Sequence, residues 1–281
     1  MRDFLGKTVF VTGGASGIGL ALGRAFARAG MNVMLADIEA APLATATDAL
    51  RCEGTVRGIV CDVADASSMK TAASATIDAF GKVHIVCNNA GVAGGSGIEN
   101  ISLETWRWVL DVNLTGVLHG IETFLPLIRA HGEGGHIVNT ASMAGLQSNL
   151  GFSPYVASKF AVVAMSEGLA KQLSPLDIGV TVLCPGFVRT NIWESARNRP
   201  ARYGAVERPD HDTAAGKLRT HLADLGAAGL HPDDVADQVL HAVRNNELYV
   251  FTHAGPDWRA EIAERFNTIL AAMDAAATRK T

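Results

Sequence analysis

Long apolar runs, basic stripes and paired cysteines are all missing from this sequence, and each absence removes a class of protein. No stretch approaches the about 20 predominantly apolar residues that a membrane-spanning helix needs. Lys and Arg number 24 against 28 Asp and Glu, a formal charge of −4, and no Lys/Arg-dense stripe stands out. Neither nucleic acid nor an anionic membrane surface is therefore an expected partner. The four cysteines, Cys52, Cys61, Cys87 and Cys184, form no Cys-x-x-Cys pair. Three of them sit in apolar strand-like runs and read as buried reduced thiols. Nine histidines include no His-x-x-x-His spacing, so no metal site is expected. The opening MRDFLGKTVFVTGG lacks the basic start and small-residue cleavage site of a signal peptide, which points to a cytoplasmic protein.

What is present is enough apolar material for a sizeable core: 48% hydrophobic residues and 19% charged in a chain of 281. A short apolar run followed by a longer amphipathic stretch repeats from the first residues to about Pro185, the pattern of a parallel sheet with crossover helices. Strands are expected at Thr8–Thr12, Asn32–Asp37, Val56–Cys61, Val83–Asn88, His136–Thr140 and Val180–Cys184, rich in Val and Ile without strict alternation, as strands covered on both faces should be. Helices are expected near 17–29, 42–52, 66–79, 103–130 and 155–173. A last pair follows, a helix near 232–244 and a strand at Leu248–Phe251. The expectation is one α/β domain over 1–281, a doubly wound, mainly parallel sheet flanked by helices. From 191 to 230 the alternation stops in a segment rich in charge, Arg and Pro, which reads either as a substrate-covering insertion or as a surface excursion. The last residues, AAMDAAATRKT, are expected to fray.

The first strand ends in Thr12-Gly13-Gly14-Ala15-Ser16-Gly17-Ile18-Gly19, and a helix follows at once. Gly13 permits a sharp turn, Gly17 and Gly19 let backbone approach a pyrophosphate, and a helix N-terminus offers unpaired N–H groups. Glycines that merely serve a tight strand-to-helix turn are the competing explanation. Eighteen residues after Gly19 the second strand ends at Asp37, near the offset at which an acidic side chain takes the ribose hydroxyls of a dinucleotide. An ionised Asp37 would repel a 2′-phosphate, and no Arg or Lys stands at Ser16 or Ile38 to attract one, so NAD is expected over NADP.

TGGASGIG, with glycines spaced Gly-x-x-x-Gly-x-Gly, resembles the cofactor motif of the short-chain dehydrogenase/reductase family, and further motifs of that family follow in order. Asn88-Asn89-Ala90-Gly91 resembles its NNAG motif, Asn113 falls on its helical asparagine, and Ser142 lies thirteen residues before Tyr155 in Tyr155-Val156-Ala157-Ser158-Lys159. Pro185-Gly186-Phe187-Val188-Arg189-Thr190 resembles the segment that closes over nicotinamide. The resemblance covers nearly the whole chain up to Thr190 and implies a Rossmann fold with Asn113, Ser142, Tyr155 and Lys159 as catalytic residues. It also implies cofactor contacts from Gly13, Ser16, Gly17, Ile18, Gly19, Asp37, Asn89, Ala90, Gly91, Tyr155, Lys159, Pro185, Gly186, Val188 and Thr190. Asp62 and Val63, after the third strand, are carried over as adenine-edge contacts, with a strand-cap carboxylate as the other reading of Asp62. The family also suggests a homo-oligomer, a tetramer or dimer, with the 103–130 and 155–173 helices between subunits.

The chemistry asks for the same residue types. A Tyr of ordinary pKa near 10 is a poor base at neutral pH, so roughly 4 kcal/mol must come from its surroundings. Tyr155 and Lys159, at i and i+4 on one helix, share a face, so the ammonium lies near the phenol and favours phenolate. A tyrosine packed beneath a lysine stem has the same spacing. Ser142 at a strand end can hydrogen-bond the substrate oxygen. By resemblance, Lys159 also bonds the nicotinamide ribose and Asn113 positions a water in a proton relay.

The expected pocket lining, Val92–Ser96, Met143–Phe152, Phe187 and Ile192–Trp193, is mainly apolar apart from Gln147, Ser148 and Asn149. It suits a secondary alcohol or ketone with an apolar or aromatic body. The stretch Arg197-Asn198-Arg199-Pro200-Ala201-Arg202-Tyr203-Gly204 resembles, more loosely, one in bacterial Cα-dehydrogenases that oxidise benzylic alcohols of lignin-type aryl ethers. Two alternatives stand beside an NAD-dependent alcohol dehydrogenase: an NADPH-dependent 3-oxoacyl thioester or ketone reductase, against which Asp37 argues, and a catalytically silent NAD(H)-binding regulator.

Overall fold

The computed structural model describes residues 3–94, 101–148, 153–205 and 212–279. Seven strands form one sheet: β1 (Thr8–Thr12), β2 (Asn32–Asp37), β3 (Val56–Val60), β4 (Ile85–Asn88), β5 (Gly135–Thr140), β6 (Ile178–Cys184) and β7 (Tyr249–Phe251). Their order is β3-β2-β1-β4-β5-β6-β7 and every pairing is parallel. The helices are α1 (Gly17–Arg28), α2 (Ala40–Leu50), α3 (Ala66–Phe80), α4 (Leu103–Leu110), α5 (Gly116–Ala130), α6 (Pro154–Leu173), α7 (Ala214–Ala227), α8 (Pro232–Asn245) and α9 (Pro256–Thr278). Among the described residues no helix is long and apolar enough to cross a membrane.

Side chains of the central strands alternate between two cores. Val9, Val11, Val33, Leu35, Ile85 and Cys87 face α1, α2 and α8 through Leu22, Phe26, Leu43, Leu50 and Val239. Phe10, Met34, Val86, Ile137 and Val182 face α3, α5 and α6 through Met69, Phe124, Ile128 and Val162. Burial on both faces is why the strand sequences are nearly continuous apolar runs. Cys61, Cys87 and Cys184 are buried free thiols, and burial pushes Cys184 up to about 12.

Four local differences from expectation are found. α2 begins at Ala40, two residues early, because Pro42 then occupies a first-turn position whose N–H would bond to nothing in the helix. The expected 103–130 helix is broken into α4 and α5 by a π-helical turn over Asp111–Thr115. Within 191–230, α7 adds a helix, and two 3₁₀ turns span Ile192–Asn198 and Ala201–Tyr203. The C-terminal stretch continues as helix through Thr278 instead of fraying at 271, although α9 buries none of its residues.

The excursion is closed at its base. Val188 and Leu230 form a parallel bridge, with Arg189 N–H donating to the Leu230 carbonyl and Leu230 N–H to the Phe187 carbonyl, both at 3.0 Å. Residues 206–211 of it lie outside the described residues, as do Gly95, Ser96 and residues 149–152 of the expected lining, Asn149 among them.

Candidate functional site

β1 and β4 are adjacent, and the chain winds outward from them in opposite directions, which opens a crevice beyond the strand C-termini. Both walls of that crevice carry the candidate residues. On the β1 side Gly13 has φ +66 and lies against Ala90, and a methyl at Gly19 would collide with the Gly13 carbonyl oxygen. Ser16 precedes α1 in extended conformation without capping it by its side chain. The first-turn N–H groups of Gly17, Ile18 and Gly19 therefore lack a side-chain cap, which is the donor set a pyrophosphate takes up.

Asp37 ends β2 with both oxygens engaged by backbone. Oδ2 accepts from Ala15 N–H and Oδ1 from Glu39 N–H, each at 3.0 Å. The carboxylate thus anchors the glycine turn while bordering the crevice, and burial outweighs these bonds to raise its pKa. Asp62 caps the end of β3 by accepting from Ala64 N–H at 3.0 Å. Val63 is buried beneath α5, where a Cβ on Gly116 would lie 2.8 Å from its Cγ2.

A residue absent from the expected set organises the centre. The Thr12 hydroxyl accepts from the N–H groups of Asn89 and Ala90 at 2.9 and 3.0 Å, and the Asn89 amide donates to the Thr12 carbonyl at 3.0 Å. Thr140 then donates to Asn89 Oδ1 at 3.2 Å, joining β1, β4 and β5 at one height. A threonine ending a strand in a glycine motif was the available signal. Gly91 continues this wall, its missing Cβ pointing at Asn113 Oδ1 and Lys159 Nζ, 3.5 and 3.6 Å away.

Asn113 sits in the π-helical turn, fully buried, and grips the backbone of Val92: its Oδ1 accepts from the Val92 N–H at 2.8 Å and its Nδ2 donates to the carbonyl at 3.0 Å. Nδ2 also reaches Ser158 Oγ at 3.3 Å. Ser142 caps a 3₁₀ turn after β5, accepting from Ala144 N–H at 3.1 Å and donating to the Pro185 carbonyl at 3.4 Å, and its side chain acts to lower the Tyr155 pKa. Ser153 caps α6, placing Tyr155 in its first turn.

Lys159 is 3% exposed and donates to the Thr140 carbonyl at 2.8 Å; burial pulls its pKa down to about 8. Its ammonium lies over the Tyr155 ring, 5.6 Å from the centroid. Burial raises the Tyr155 pKa, opposed by the Ser142 side chain.

The Pro185–Thr190 segment closes the crevice. Pro185 accepts from Met143 N–H at 2.9 Å, Gly186 N–H donates to Thr252 Oγ1 at 3.0 Å, and Val188 bridges to Leu230. Thr190 lies against Gly17, where a Cβ would stand 3.0 Å from its Cγ2. Glycine turn and Pro-Gly segment thus meet across the crevice. Of the expected lining, Val92 and Met143 are buried in core clusters. Phe187 lies at a tilt to Trp258, ring centroids 6.3 Å apart, and Trp193 packs on Gly226 of α7.

The opposite end of the sheet gathers His84, His131 and Glu133 within 4.8 Å. His84 Nδ1 accepts from Thr8 N–H and His131 Nδ1 from Glu133 N–H, which puts the protons on both Nε2 atoms, facing Glu133 and the Val83 carbonyl. No ring nitrogen there keeps a free lone pair for a metal.

Residues 7–201 match the family model described as short chain dehydrogenase. A Cα-dehydrogenase of Sphingobium sp. strain SYK-6 is 33% identical over 272 residues, covering 96% of this chain and 87% of that protein. A CLA biosynthesis dehydrogenase/reductase of Lactiplantibacillus plantarum is 31% identical over 274 residues, covering 96% and 95%. Among solved structures, a short chain dehydrogenase/reductase from Burkholderia phymatum in complex with NAD superposes with a TM-score of 0.90 at 36% identity, covering 97% of each chain.

Proposed function

The chain belongs to the short-chain dehydrogenase family, and on that premise we propose that it is an NAD-dependent oxidoreductase moving hydride between a secondary alcohol or its ketone and nicotinamide. The observation that carries this reading is the juxtaposition, at one crevice, of Ser142, whose side chain acts on the Tyr155 phenol, the buried Lys159 ammonium over the Tyr155 ring, and Asp37 beside an uncapped helix N-terminus.

Nicotinamide, when bound, supplies the hydride acceptor or donor. Everything else falls to side chains. The first-turn N–H groups of α1 hold the pyrophosphate, Asp37 and Asp62 border the adenosine, and Lys159 bonds the nicotinamide ribose. Ser142 holds the substrate oxygen. Tyr155 moves its proton: as phenolate it takes the hydroxyl proton of an alcohol, and as phenol it returns one to a ketone. Its raised pKa favours the phenol, so reduction finds Tyr155 ready at neutral pH. Oxidation requires the Lys159 charge to help remove the proton. Asn113, which fixes the Val92 backbone beside Ser158, positions a water behind Lys159.

A benzylic or otherwise apolar secondary alcohol is the proposed substrate class, supported by the apolar cluster of Val92, Trp108, Val109 and Tyr203 packed against Tyr155 and by the relative named as a Cα-dehydrogenase. Exposed Leu103 and Leu118, at 61% and 52%, support a dimer or tetramer built through α4, α5 and α6.

The test follows absorbance of reduced nicotinamide with NAD and NADP separately, on benzylic, aliphatic and sterol secondary alcohols, beside Tyr155→Phe. Oxidation with NAD that falls at least about a thousandfold in the variant is the expected outcome. Turnover only as NADPH-dependent ketone reduction would overturn the cofactor assignment. Dinucleotide binding without turnover across the panel would favour a regulator.

A further inference from the structure

Three side chains of the 191–230 excursion reach back across the crevice mouth to the acidic residues on its adenosine side. Arg197 bonds Glu39 through two nitrogens, Nε to Oε1 at 3.0 Å and Nη2 to Oε2 at 2.7 Å, and Asn198 Nδ2 joins the same Oε2 at 2.9 Å. Arg202 Nη2 meets Asp62 Oδ2 at 2.6 Å. Glu39 lies two residues past Asp37 and donates its N–H to it, so both contacts land next to residues assigned above to the adenosine. The Arg197 guanidinium holds the Glu39 carboxyl below the usual carboxylate range.

The other edge of the same segment is tied to the substrate side. The buried Ser195 hydroxyl exchanges hydrogen bonds with the Ala93 backbone, accepting at 2.9 Å and donating at 3.2 Å. Tyr203 donates to Asp111 Oδ2 at 2.9 Å, and its ring packs among Val92, Trp108 and Val109 with Tyr155 against that cluster. Residues 192–203 therefore span the crevice from the adenosine border to the neighbourhood of Tyr155.

We infer that Arg197, Asn198 and Arg202 are cofactor-positioning residues, closing with Glu39 and Asp62 a clasp over the adenosine half of the dinucleotide that must open before the dinucleotide can leave. The inference rests on the dinucleotide reading of the crevice and adds that retention belongs to the excursion as well as to the glycine turn. A clasp of exposed ion pairs is weak contact by contact and sensitive to salt. The paired donors of Arg197 make its contact the stronger kind. Loss of either arginine is expected to speed dissociation about threefold to tenfold, and loss of both by more.

The experiment measures stopped-flow dissociation of reduced dinucleotide through its own fluorescence, and calorimetric binding of ADP-ribose, for wild type, Arg197→Ala, Arg202→Ala, their double variant, Glu39→Gln and the Arg197→Ala/Glu39→Gln pair. Faster dissociation in each, non-additivity between Arg197→Ala and Glu39→Gln, and an equal factor lost for ADP-ribose are expected. Arg202→Lys should restore part of the loss, and Arg28→Ala, whose partner Glu53 is remote from the crevice, should change nothing. Dissociation from wild type should quicken with salt while the double variant responds little; this comparison within wild type decides even if a variant fails to fold. Variant rates within twofold of wild type, or a wild-type rate indifferent to salt, overturn the clasp. A wild type that binds neither NAD nor NADP would instead sink the dinucleotide reading, and the clasp with it.

Discussion

Lys159 is the residue on which burial and charge conflict most sharply. Its pKa of about 8 in the fold, against 10.5 unperturbed, means that between those values the unfolded chain binds a proton that the folded chain has released. Stability contributed by this group therefore rises as pH climbs from about 8 to 10.5. Below 8 the buried ammonium costs roughly 3 kcal/mol. Comparing denaturant midpoints of wild type and Lys159→Met across pH 7–10.5 should show wild type gaining on the variant as pH rises; parallel curves would mean the ammonium is not desolvated. Asp37 carries a double load. Because it holds the Ala15 and Glu39 N–H groups as well as bordering the adenosine in the proposed complex, Asp37→Ala should cost about 1–3 kcal/mol of stability. It should also weaken NAD binding about tenfold to a hundredfold while narrowing the gap to NADP, both measurable by calorimetry. Asp37 and the Tyr155–Lys159 pair stand out in the sequence because their spacing from the glycine turn and from each other is local. The position of the Lys159 ammonium over the ring is not legible there, since the Thr140 carbonyl that draws it comes from a different strand.

Among elements, strands β1 and β2 match their expected bounds residue for residue, because their apolar runs end abruptly at glycine or acidic residues. The π-helical turn could not be read in this way. An extra residue in a helical turn leaves composition and periodicity almost unchanged, and what fixes it here is Asn113 bonding Val92, twenty-one residues away. Asn113→Leu would leave the Val92 N–H and carbonyl buried without partners and should destabilise by about 2–4 kcal/mol in urea titrations, with turnover lost as well. At the glycine turn, Gly19→Ala forces a methyl against the Gly13 carbonyl; loss of dinucleotide binding greater than loss of stability is the expected calorimetric result. The arginine contacts at Glu39 and Asp62 span 158 and 140 residues of sequence and left no local pattern to find.

For the whole molecule, the proposed assembly gives a measurable expectation: light scattering should show a dimer or tetramer, and Leu118→Glu should shift it toward monomer. A monomeric wild type would remove that proposal and leave the crevice unaffected. The sheet divides labour between its two ends, with ligand-facing loops at the strand C-termini and the saturated His84–Glu133 network at the other. One feature of this plan reaches beyond the present chain. Because the 191–230 excursion leaves and rejoins the fold at two hydrogen bonds between neighbouring strands of backbone, its stem is stapled independently of its contents. Lengthening such a stapled segment costs only a slowly growing entropy, about 0.6 kcal/mol per doubling. The scaffold can thus host cassettes of different length and composition on one fixed socket, and such a cassette can be exchanged between relatives without redesigning the two hydrophobic cores that flank the sheet.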